Sequence, residues 1–169
     1  MQFTDEVVWT LSDFIFAGIL IFGSGFTYML LTRGAGDIFY RLAVGSTIST
    51  GFLLIWVNLA VGIIGSENNP INLLYFGVIA VGMIGAIIAR FQPKGMALTL
   101  FLAAFAQALV AAYALLIGEH HSLTELYHST AAESIIKILA VNGFFIFLWI
   151  ISALLFRYVA QEKNINETA

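Results

Sequence analysis

Five apolar runs, each near the length of a membrane crossing, constrain this chain more than any other feature. A helix rises about 1.5 Å per residue, so about 20 residues cover the roughly 30 Å of bilayer hydrocarbon. Runs of that length lie at about 14–31, 42–64, 73–89, 96–117 and 138–156. Open strands would leave backbone groups unpaired in lipid, and a barrel needs alternating polarity, which these runs lack. Helix is the remaining choice. Composition agrees: 60% of residues are hydrophobic and only 10% are charged, against about 25% charged in soluble domains. The expected fold is an all-α polytopic transmembrane bundle of five helices, a single membrane domain over residues 1–169.

The charges predict an orientation. Arg33 and Arg41 flank the first connection, Arg90 and Lys94 the third, and Arg157 and Lys163 follow the last run. The other side carries Asp5, Glu6 and Asp13, then Glu67, then Glu119, Glu125 and Glu133. Of the seven basic residues only Lys137 departs from the pattern. Basic flanks stay cytoplasmic, so the N-terminus is expected outside and the C-terminus inside. The start, MQFTDEVVW, has no basic n-region, and the first run is expected to remain in the mature chain.

The polar break "GSENNP" then falls on the outer side, between the second and third helices. Gly65 suits a left-handed C-cap. Asn69 can cap the next helix, with Pro70 at its first position, where no N–H is needed. The segment reads as a tight helix-to-helix turn, with a re-entrant loop that turns Glu67 to a cavity as its rival. Arg41 to Gly65 and Lys94 to Gly118 are equally spaced, a hint of a two-helix repeat that membrane thickness alone also produces.

The polar residues inside the runs are few. Asn58 shares a helical stripe with Thr47, Gly51, Gly62 and Gly65. Gln107 shares its face with Ala103, Ala111 and Ala114, and Gly82, Gly85 and Ala89 form a small-residue ridge. Small and polar stripes fit close helix contacts; the same residues also fit a polar path. An Asn58–Gln107 hydrogen bond would satisfy both amides. Asn142 and Ser152 mark the fifth run and need not share a face. No Lys, Arg, Glu or His lies deep in any run, which weighs against proton-coupled pumps and bis-histidine haem.

"GEHHSLTELYHSTAAES" joins the last two runs. Ser122 with Glu125, and Thr130 with Glu133, fit capping boxes, predicting a short outer helix at 123–128 and a second helix starting at Ala131. On a helix His121, Glu125 and His128 share a face, and a carboxylate with two imidazoles is a partial set for a divalent metal. Zero cysteines remove disulfides, thiolate metal sites and cysteine nucleophiles. No nucleophile elbow, phosphate-cradling glycine loop or H-E-x-x-H occurs, and the basic residues are too few for nucleic acid.

The run "FLLIWVNLAVGIIGSENNPINLLYFGVIAVGMIGAIIARFQPKGM", followed by "AQALVAAYALL", resembles an uncharacterised group of small multi-pass bacterial membrane proteins, over roughly residues 52–116. The resemblance implies a bacterial cytoplasmic (inner) membrane location. It carries no activity and no site residues. The expectation is a non-catalytic accessory or scaffold subunit without cofactor, whose partners are the lipid bilayer and either further copies or a larger membrane complex. The alternative is a small oligomeric channel or transporter with a polar path at Thr47, Asn58, Gln107 and Asn142 and Glu67 as an outer acidic ring. A third reading is a metal-binding or metal-sensing outer face at His121, Glu125 and His128.

Overall fold

The computed structural model describes residues 11–64, 69–122 and 128–168, with side chains over 11–64, 69–116 and 135–166. Five α-helices follow one another: α1 (Leu11–Thr32), α2 (Ile38–Ala60), α3 (Leu74–Ile88), α4 (Pro93–Ser122) and α5 (His128–Thr168), with a 3₁₀ turn at Pro70–Leu73 before α3. Five segments, including that turn joined to α3, are long and apolar enough to cross a membrane. The all-helical expectation holds among the described residues.

The boundaries differ from the hydropathy limits, and the caps explain why. α2 is displaced towards the N-terminus at both ends. It starts at Ile38 because the Asp37 carboxylate accepts a 2.8 Å hydrogen bond from the Phe39 N–H, a cap that a hydropathy count does not register. It ends at Ala60, and Gly62 takes the left-handed backbone at φ 74°. The expected cap, Gly65, and its neighbour Glu67 lie outside the described residues. The Asn69 cap and Pro70 are as expected: the Asn69 side chain accepts from the Ile71 N–H at 3.0 Å, with Pro70 opening the turn. The hinted repeat is not kept in the helix ends, since α2 stops short of Gly65 whereas α4 runs past Gly118.

α5 has 41 residues, about 61 Å of helix and twice the hydrocarbon thickness. The expected 138–156 is only its apolar middle. Nothing in "RYVAQEKNIN" breaks a helix, so it continues into polar sequence. The Thr130 capping box fails as a start. Ser122 is the last residue of α4, and Thr130 lies inside α5. Of the expected short outer helix, residues 123–127 lie outside the described residues and His128 opens α5.

The α3–α4 turn holds two non-glycine residues at positive φ, Arg90 (50°) and Phe91 (56°). The Arg90 N–H reaches the Ile87 carbonyl at 3.0 Å and the Phe91 N–H reaches the Ala86 carbonyl at 3.1 Å. This is a Schellman closure with arginine where glycine is usual. Left-handed backbone costs an L-residue roughly 1–2 kcal/mol. Arg90→Gly is therefore expected to stabilise the fold by about 1 kcal/mol, less glycine's own entropy cost, while Arg90→Ala gives no such gain. Parallel detergent-denaturation curves of the two variants separate backbone relief from loss of charge.

α4 and α5 pack most extensively; α3 lies on α4, α2 on α5, and α1 on α2. α2 to α5 thus form the core, with Leu54, Val78, Leu100, Ala103, Phe145, Ala153 and Phe156 buried. Near the basic end, Phe39 meets Tyr158 with ring centres 4.8 Å apart, and Tyr40 meets Phe156 edge-on at 5.8 Å. α1 buries none of its 22 residues. The outer surface is apolar, with Phe22 80% and Ile88 76% exposed.

Candidate functional site

Of the polar side chains expected in the runs, Asn58, Gln107 and Asn142 lie in the half of the bundle that holds the α2–α3 turn. Asn72, in the Pro70–Leu73 turn, folds its amide back onto the chain leaving α2. Its Oδ1 accepts from the Ile64 N–H at 2.9 Å, and its Nδ2 donates to the Ile64 carbonyl at 3.3 Å. Asn58 on α2 donates from Nδ2 to the Asn72 carbonyl at 3.0 Å. The α2–α3 connection is thereby stitched to α2 through buried amides, with Asn58 5% and Asn72 3% exposed.

One helical turn beyond Asn72, Tyr75 points into the core. Its hydroxyl donates to Asn142 Oδ1 at 3.0 Å, and Gln107 Nε2 donates to the same oxygen at 3.0 Å. Asn142 Nδ2 donates to the Ile138 carbonyl of its own helix at 2.9 Å. One amide on α5 thus receives α3 and α4 together. The alanine face read around Gln107 is buried as expected, at Ala103, Ala111 and Ala114.

The structure corrects the proposed Asn58–Gln107 hydrogen bond. Each amide has a different partner, because Asn58 lies beside the turn and Gln107 faces α5. Thr47 joins neither group. It lies 11 residues before Asn58, about 16 Å along the helix. Its hydroxyl donates to the Ala43 carbonyl at 2.8 Å, and it lines a cavity of about 20 Å³ with Tyr40, Phe91 and Met96, space for about one water. Ser152, which marks the fifth run, meets Ser46 of α2 at 2.9 Å between hydroxyl oxygens. The glycine ridge on α3 divides. Gly85 faces Thr99 of α4, whereas a Cβ at Gly82 would meet nothing within 4 Å.

Among the described residues the buried polar side chains are all neutral: Thr50, Asn58, Asn72, Thr99, Gln107, Asn142 and Ser152. They donate and accept hydrogen bonds but present no charge and no paired nucleophile and base. Three buried atoms, Asn58 Oδ1, Gln107 Oε1 and Trp149 Nε1, have no hydrogen-bond partner among the described residues. Such atoms are few in folded proteins. No group of three His, Asp or Glu side chains gathers among the described residues. Glu125 and the side chains of His121 and His128 lie outside them.

Sequence reading missed Asn72 and Tyr75. Their i, i+3 spacing puts both on one face, and that is the signal that finds them. Asn72→Ala leaves the Ile64 N–H and carbonyl without their partner. An expected loss of about 1–2 kcal/mol follows, read as earlier unfolding together with faster hydrogen exchange at the Ile64 amide.

No protein-family model, curated protein or solved structure matches the chain. The functional reading therefore rests on the geometry above.

Proposed function

We propose that the chain is a non-catalytic, multi-pass protein of the bacterial inner membrane, with its N-terminus outside and C-terminus inside, acting as an accessory or scaffold subunit. The carrying observation is the use made of the polar residues. Asn142, 1% exposed, accepts from both Gln107, 0% exposed, and Tyr75 and so ties three helices together, which is the work of helix association. α1 supports the accessory role, since it packs on α2 through half-buried residues such as Tyr28 and Leu31 and, with no buried residue, offers its other faces to lipid or partners. The apolar exterior supports residence in a bilayer, and the basic end supports a cytoplasmic C-terminus.

Purification from native membranes in mild detergent tests the role, with a constant partner or a homo-oligomer as the expected result. The oligomeric channel is the second reading, favoured by the unpartnered Asn58 and Gln107 oxygens. Liposomes holding the purified chain decide between the two. Ion or solute flux that Asn58→Leu abolishes replaces the scaffold reading. Reporter fusions at each terminus test the orientation, and an exterior C-terminus overturns it.

A further inference from the structure

One cavity among the described residues lies away from the polar core. It is an open groove of about 760 Å³ between α1 and α2, closed on one side by Leu155 of α5. Arg41 lines one end. Gly25 and Tyr28 form the α1 wall, and Phe52 and Leu53 lie at the far end. From Arg41 to Leu53 is 12 residues, about 18 Å of helix, against about 15 Å for the hydrocarbon of one leaflet. The groove therefore spans one leaflet, with its single cationic side chain at the headgroup level. Asp37, one turn before Arg41, binds the Phe39 N–H with its carboxylate. Ser46, about 7.5 Å below Arg41, is bonded to Ser152 and to the Ala43 carbonyl, so its hydroxyl makes little demand on an occupant.

We propose that this groove holds one anionic phospholipid, its phosphate on Arg41 and one acyl chain along the α1–α2 cleft as far as Phe52. Charge and depth together favour this occupant. A helix from a second copy would bring backbone and side chains to a groove whose length ends at mid-membrane, whereas a lipid chain ends there. The lipid would also explain how α1 keeps its place while burying no residue: the acyl chain fills the cleft that its glycines leave open. A Cβ at Gly25 meets nothing within 4 Å, so a side chain added there projects into free space.

The proposal rests on the bundle being in a membrane, and its test is separate from that reading. The purified full-length chain is exchanged into detergent with equal phosphatidylglycerol and phosphatidylcholine, and retained lipid is counted by native mass spectrometry. One tightly held lipid is expected, with phosphatidylglycerol preferred about fivefold, the effect of one basic residue on an anionic headgroup. Arg41→Gln brings the preference to about one, Arg41→Lys restores most of it, and Gly25→Phe removes the retained lipid while circular dichroism stays unchanged. Equal retention of the two lipids by the parent chain overturns the proposal. So does unchanged retention in Gly25→Phe, or a dimer that forms without lipid and is lost in Gly25→Phe. Reporter fusions that still show five crossings would leave the membrane reading intact in each of those cases.

Discussion

Replacing Asn142 by leucine is expected to destabilise the bundle by about 2–4 kcal/mol. The size of the side chain hardly changes, so the effect comes from hydrogen bonding. Asn142 Oδ1 accepts from both Tyr75 and Gln107, and all three residues are essentially without exposure. Leucine removes the one acceptor and leaves two buried donors unpaired, each costing roughly 1–3 kcal/mol. Membrane proteins show smaller hydrogen-bond effects, because the unfolded chain in lipid also finds partners; this places the expected value at the low end of the simple sum. Tyr75→Phe and Gln107→Leu each remove a single donor and leave the acceptor served, so each should cost about 1 kcal/mol. The triple variant Tyr75→Phe, Gln107→Leu, Asn142→Leu removes donors and acceptor together and should recover most of the Asn142→Leu loss. Unfolding in mixed micelles of rising SDS content measures all four. A loss under about 0.5 kcal/mol in Asn142→Leu would show that the three helices are held by packing alone.

The second large effect is expected at Gly85. A Cβ there would collide with the Thr99 methyl and stand 2.7 Å from its hydroxyl oxygen. Thr99 is 5% exposed and β-branched, so its χ1 is stiff and it has little room to turn away. Gly85→Leu is expected to cost about 2–3 kcal/mol by forcing α3 from α4. Gly85→Ala produces a smaller loss of the same origin. Thr99→Ala removes both clashing branches and leaves a 3.1 Å contact to its Cβ, so Gly85→Ala with Thr99→Ala should recover most of the stability. The same close approach recurs one loop away, where a Cβ at Gly95 would lie 2.6 Å from the Ala89 Cβ. Gly82→Ala, where a Cβ meets nothing within 4 Å, should lose nothing and gain up to about 1 kcal/mol from helix propensity. A loss at Gly82 equal to that at Gly85 would show that the α3–α4 contact is not what sets the cost, since helix propensity alone favours alanine at both positions.

Much of the fold was legible because the signals were local. The five runs, the Asn69–Pro70 start and the alanine face of Gln107 each depend on a few neighbouring residues. The errors came where the local signal was ambiguous. "VGII" after Ala60 is apolar enough to read as helix, yet it leaves the helix and is held at Ile64 by the Asn72 amide. The capping box at Thr130 is correct chemistry in the wrong place, because α5 already runs through that position. In the candidate site, Asn58, Gln107 and Asn142 could be named as buried polar residues from their apolar surroundings. Their partners could not. Asn72 and Tyr75 stand out only by their i, i+3 spacing.

The amino-acid sequence by itself determined the helical class, the number of long apolar helices and the end of the bundle on which the basic residues collect. Those properties are sums over consecutive residues, and no long-range contact can reverse them. Tertiary structure alone decided that Asn142 joins α3 and α4, that Asn58 secures a turn, and that α1 stands beside an open groove. Such pairings depend on the rotation of each helix about its axis and its offset along its neighbour. Side-chain fit across the helices sets both, as Gly85 does against Thr99.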